Sequence, residues 1–182
     1  MFLSSRPSPA FYKTYTPLFF AVTVVLLLAV LLIGESGGGA KRWIAIGSLT
    51  FQPSELAKTT LVLMLARHFS RHRSTVMTVS NKRANFLVGT LVPLGYIGLI
   101  CGLVALEKHL SCIIILGMLG VIMMFVGGSR GRYLTVFGAA GISAVTALAL
   151  FTDYTKRRIL IWQNPAAYPL DGGWQTLQGM MA

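Results

Sequence analysis

The sequence predicts an all-α fold, a polytopic integral membrane helical bundle, on three observations. Apolar residues fill 54% of the 182 positions and charged ones only 12%, against about 25% charged in ordinary soluble domains. Several apolar runs approach the roughly 20 residues needed to cross a bilayer. Almost all charge falls in the short segments between those runs. The net charge is +11; the basic Arg67–Arg83 loop is of the kind that touches anionic membrane lipid head groups, and no nucleic acid is expected as a partner.

The elements follow in order. Residues 1–16 hold Arg6 and Lys13 and lack a small-residue cleavage site after the next apolar run, so they do not read as a secretory signal. The first span is expected near 17–34 and the next near 53–70. Pro53 suits the first turn of a helix, where a missing N–H costs nothing. That second apolar core is short, so a re-entrant or interfacial helix is the alternative there. Further spans are expected at 86–106, 110–128 and 133–152, followed by a loop over 153–182. Pro93 with Gly89, Gly95 and Gly98 marks 86–106 as a candidate kinked helix. Gly127-Gly128-Ser129 reads as a turn, Met123-Met124 as lipid-facing filler, and Gly138–Gly141 as a close-packing face.

Basic residues orient the chain. Arg67, Arg71, Arg73, Lys82 and Arg83 lie in one loop without any acid, which places that loop in the cytoplasm. Alternation adds Arg6, Lys13, Arg130 and Arg132 inside, and leaves Lys41, Arg42, Lys108, Lys156, Arg157 and Arg158 outside. Cations on the outer face run against the orientation rule, and Trp43, Tyr154, Trp162, Tyr168 and Trp174 accompany them. A cationic, aromatic outer surface suits a ligand with a phosphorylated head and a lipid tail. His68 and His72 are four apart but surrounded by arginines, and read as a solvated basic face rather than a metal site. Cys101 and Cys112 lie inside apolar runs and read as packed thiols. No metal-ligand spacing is present.

The segment that carries chemistry is Lys41-Arg42-Trp43-Ile44 followed by Phe51-Gln52-Pro53-Ser54-Glu55-Leu56-Ala57-Lys58. Glu55 falls in the first turn, where the helix dipole favours an anion, and shares a face with Lys58. A charged pair at the mouth of a helix that then enters lipid is costly, which favours a functional reason for it.

These residues resemble the signature of the SEDS family (shape, elongation, division and sporulation), whose pattern runs G-A-x-R-W-I and then Q-P-S-E-[LF]-A-K. Arg157-Arg158-Ile159, Trp162-Gln163-Asn164-Pro165 and Tyr168-Pro169-Leu170-Asp171-Gly172-Gly173-Trp174-Gln175 are similar to the family's large outer loop. The resemblance covers nearly the whole chain and leans toward division-type members or their sporulation relatives. It implies about five of the ten helices of a multi-pass protein of the bacterial cytoplasmic membrane. It also implies a peptidoglycan glycosyltransferase serving cell division or cell shape. Such enzymes polymerise lipid II into glycan strands, release undecaprenyl pyrophosphate, and work with a class B penicillin-binding protein transpeptidase in cell-wall synthesis.

Carried onto matching positions, Arg42, Glu55 and Lys58 line the outer cavity, with Arg42 and Lys58 as phosphate or structural contacts and Glu55 orienting Lys58. Arg157 and Arg158 belong to the outer loop. A divalent cation at the pyrophosphate is left open, and no protein ligands for one are assigned. The family's catalytic Asp belongs to a later H-T-D-F type motif that does not occur here, so no catalytic residue is assigned. The chain therefore reads as a fragment, inactive alone. The outer turn that often reads Q-P-D-L-G-T in the family is Glu107-Lys108-His109-Leu110-Ser111-Cys112 here. Two other functions stay open on the sequence: a lipid II transporter or flippase, and a non-catalytic membrane partner of a transpeptidase.

Overall fold

The structure is a computed structural model and describes residues 8–37, 40–46, 49–77, 82–107, 109–151, 160–161, 163–164, 167–168 and 173–181. Helices dominate: α1 (Pro9–Ile33), α2 (Pro53–Met77), α3 (Lys82–Phe86), α4 (Val92–Leu106), α5 (Leu110–Val126), α6 (Gly131–Phe151) and α7 (Gly173–Met181). A π-helical turn, Leu87–Leu91, joins α3 to α4. Two stretches, Ala10–Ile33 and Leu87–Leu106, are long and apolar enough to cross a membrane among the described residues. At 1.5 Å per residue they reach about 36 and about 30 Å, against a hydrocarbon core of about 30 Å. Leu110–Val126 is apolar but shorter.

Contacts divide the chain into two compact units, Met1–Ala139 and Ala140–Ala182. In the first, α2 is the central element and packs on α1, α4 and α5. Its core joins Leu27 and Val30 of α1, Leu61 and Leu65 of α2, Ile100 and Val104 of α4, and Leu116 and Met124 of α5, all essentially inaccessible to solvent. Met124, expected to face lipid, is thus core, while Phe125 and Val126 beside it are exposed. Glycine permits two close approaches, one on α5 and one just after its last residue. A Cβ at Gly120 would stand 2.6 Å from Ile97, and one at Gly127 2.4 Å from the Phe69 ring. The turn after α5 is completed by Gly128 at φ 87°, a backbone state that suits glycine.

Two features differ from the sequence expectation. The segment before α2, read as an outer loop, contains a small antiparallel sheet in the order β1 (Glu35–Gly37), β2 (Ala40–Ile46), β3 (Leu49–Phe51). Gly37 pairs with Ala40, and Ile46 with Leu49. The sequence between those partners is Gly38-Gly39 and Gly47-Ser48, dipeptides of the kind that two-residue hairpins use. Helix α1 begins at Pro9, eight residues before the expected start of the first span, and runs through Pro17. Proline removes the bond to the carbonyl four residues back, here that of Lys13. Arg67 on α2 takes its place, donating from Nε to the Lys13 carbonyl at 2.7 Å.

Candidate functional site

The N-terminal end of α2 holds two of the charged groups that the sequence singled out, Glu55 and Lys58. β3 delivers the chain to Gln52, and Pro53 opens the helix, with the Glu55 amide donating to the Gln52 carbonyl at 3.1 Å. Lys58 Nζ lies 2.7 Å from Glu55 Oε2, so the expected pair forms. Glu55 is 58% exposed and Lys58 25%, which leaves the pair open to a ligand from one side. An ammonium has three donors and Glu55 engages one side of it, so donors remain for an anionic partner.

Further groups close around this end from α4 and α5. His109 precedes α5, and its ring Nδ1 accepts from the Gln52 side-chain amide at 3.4 Å. Cys112 is buried, and its Sγ lies 3.9 Å from the Ser54 carbonyl, tying the start of α5 to the start of α2. Ser54 is fully buried, and its hydroxyl has no hydrogen-bond partner among the described residues by distance and angle. Glu107 ends α4 and is only 2% exposed. A carboxylate at a helix C-terminus works against the helix dipole, and burying it adds cost. Sequence reading treated Glu107 as an ordinary turn residue. The signal available was an acid set between an apolar helix and a His.

Arg42 falls on β2, where Glu35 pairs with Trp43 and Ser36 with Lys41. Arg42 is thus the extra residue of a β-bulge. Arg157 and Arg158 lie outside the described residues. Among the described residues no group of three or more His, Cys, Asp or Glu could hold a metal ion.

The other half of α2 corrects one expectation. His68 is not part of a solvated basic face. It is 6% exposed, and its Nε2 donates to the Val88 carbonyl of the π turn at 2.7 Å. Its ring meets Phe69 and Tyr96 edge-on. His72, where α2 departs from helical geometry at φ −109° and ψ 19°, donates from Nδ1 to the His68 carbonyl at 3.0 Å.

Comparisons with known proteins give the family and the fold. The family model FTSW_RODA_SPOVE, described as a cell cycle protein, matches residues 1–182. A probable peptidoglycan glycosyltransferase FtsW of Escherichia coli O6:H1 is 32% identical over 173 residues, covering 94% of this chain and 40% of that protein. The crystal structure of the Thermus thermophilus rod shape determining protein RodA aligns with a TM-score of 0.64 and 26% identity, over 82% of this chain and 44% of that one. A chain from a peptidoglycan synthase complex, whose structure concerns the coordination of polymerization and crosslinking, aligns with a TM-score of 0.68 and 27% identity, over 100% of this chain and 52% of that one. The chain thus spans about 40% of the length of the FtsW relative.

Proposed function

The chain belongs to the FtsW/RodA/SpoVE family of cell cycle proteins, and from that premise we propose that it forms part of a peptidoglycan glycosyltransferase of the bacterial cytoplasmic membrane. In this reading the protein is multi-pass, with spans on α1, α2, the continuous helix α3–α4, α5 and α6. The N-terminal end of α2 opens on the outer face. The observation that carries the proposal is the Glu55–Lys58 pair, 2.7 Å apart and partly exposed, next to the turn that bears Glu107 and His109.

The substrate is lipid II, and the chemistry is transfer of a glycosyl group. A sugar hydroxyl of one lipid II attacks the anomeric carbon of the growing strand. The new carbon–oxygen bond replaces the bond to undecaprenyl pyrophosphate, which departs as an anion while the hydroxyl proton passes to a base. Negative charge develops on the leaving pyrophosphate, and a preoriented cation there stabilises the transition state more than the ground state. Lys58 supplies that cation. Glu55 holds the ammonium in place, and Arg42, at its bulge in β2, contributes a second, fork-shaped donor. Arg157 and Arg158, which lie outside the described residues, are proposed as further phosphate contacts on the family resemblance alone. A class B penicillin-binding protein is the partner that crosslinks the product.

The test uses a chain extended to the length of its relatives, in detergent with fluorescent lipid II. Glycan product that disappears with Lys58→Ala supports the proposal. Lipid II movement across proteoliposomes without polymer would assign a transporter instead.

A further inference from the structure

The π turn and Pro93 create a defect in the helix whose repair connects the two ends of the bundle. In an α-helix the Val92 N–H would serve the Val88 carbonyl, but it bonds to the Leu87 carbonyl instead. The next donor in that register would be residue 93, a proline without an N–H. The Val88 carbonyl is therefore left without a helical donor inside an apolar bundle, where an unmet backbone carbonyl is costly. His68 Nε2 meets it at 2.7 Å. The neighbouring Gly89 carbonyl, which residue 93 would serve in α register, receives the Ser129 hydroxyl at 2.5 Å. Two carbonyls affected by one proline are thus capped from two other elements, α2 and the α5–α6 turn. Asn85 adds a third tie, donating to the Val76 carbonyl of α2.

A π turn carries one residue more than an α turn, so its presence sets the register of everything after it. Loss of the π turn would rotate α4 by about 100° and shift it by about 1.5 Å. Two consequences of the present register are visible. Ile97 of α4 packs over Gly120 of α5, so closely that a Cβ there would stand 2.6 Å from it. Beyond α4, His109 meets Gln52 at the N-terminal end of α2.

We propose that His68 is a positioning residue: through the Val88 carbonyl it holds α4 in the π-shifted register that sets Glu107 and His109 beside the Lys58 end of α2. This deepens the reading of that end as the ligand site, but its test does not depend on any ligand.

The experiment is thiol cross-linking between α4 and α5 in a Cys101→Ser, Cys112→Ser background that carries Ile97→Cys and Gly120→Cys together, since removal of the Ile97 branches makes room for a Cβ at 120. The protein with His68 intact is expected to cross-link efficiently through this 97/120 pair. His68→Phe keeps a ring against Tyr96 but removes the donor, and should lower the 97/120 yield at least about threefold. Pro93→Ala restores an N–H that can serve Val88 in the same register, and the double variant should recover the 97/120 yield. An unchanged 97/120 yield in H68F overturns the proposal, as does a loss that P93A does not restore. If H68F alone does not accumulate, recovery of folded P93A/H68F protein with the 97/120 cross-link counts as the same rescue, and failure of both overturns it. Loss of polymerisation in a protein that keeps the 97/120 cross-link would concern the ligand reading, not this one.

Discussion

Helix α2 has two ends built on different physics. Its N-terminal end holds a charged pair that is partly open to solvent, beside a buried carboxylate and a buried hydroxyl. In its C-terminal half, polar side chains serve backbone carbonyls that irregular helix geometry has released. Arg67 serves Lys13 behind Pro17, His68 serves Val88 behind Pro93, and His72 serves His68 at the kink. One end keeps donors available for a partner, and the other uses its donors internally. Basic residues on one helix therefore do not share one meaning. The difference lies in whether a neighbouring helix has lost a hydrogen bond nearby.

Substitutions can sharpen that contrast, since the C-terminal half and the core should register in stability and the N-terminal end in activity. The largest stability effect is expected in the core that joins the two ends. Leu65→Ala opens a cavity at a fully buried position and should cost about 3 kcal/mol by unfolding in detergent mixtures. Gly127→Ala comes next. Its new methyl would stand 2.4 Å from the Phe69 ring, and forcing α5 from α2 should cost about 2 kcal/mol, seen as a lowered melting temperature. Arg67→Met keeps the aliphatic stem but strips the donor from the Lys13 carbonyl. About 1 kcal/mol should be lost, with faster amide exchange near Pro17. Smallest is Glu55→Gln: the carboxylate is 58% exposed, so stability should change by less than about 0.5 kcal/mol. A Glu55→Gln protein that melts far below its parent would break the contrast, because it would make the pair a structural strut.

The long apolar helices were legible in the sequence because a contiguous apolar run shows its length and character without any knowledge of tertiary contacts. The expected runs at 86–106 and 110–128 meet helices whose described ends, Leu106 and Val126, fall within two residues of them. Glu55 and Lys58 were legible as a pair because i and i+3 positions on a helix are neighbours by geometry alone. Three things escaped. The sheet over Glu35–Phe51 is short and half glycine-bounded, so its alternation is too brief to stand out, although Gly38-Gly39 and Gly47-Ser48 marked it. The role of His68 escaped because the carbonyl it serves is 20 residues away and is released only by the π turn and Pro93 together. The burial of Glu107 escaped because it depends on how α4 and α5 close on α2, which no local pattern encodes.

The most direct measurement is polymerisation of fluorescent lipid II by the full-length Lys58→Ala protein, read beside its melting curve. Removal of a cation at the leaving pyrophosphate should lower the rate about 100-fold or more while the melting temperature stays within about 2 °C of the parent. A Lys58→Ala protein that polymerises lipid II at the parent rate would contradict the assignment of this end of α2 to the substrate.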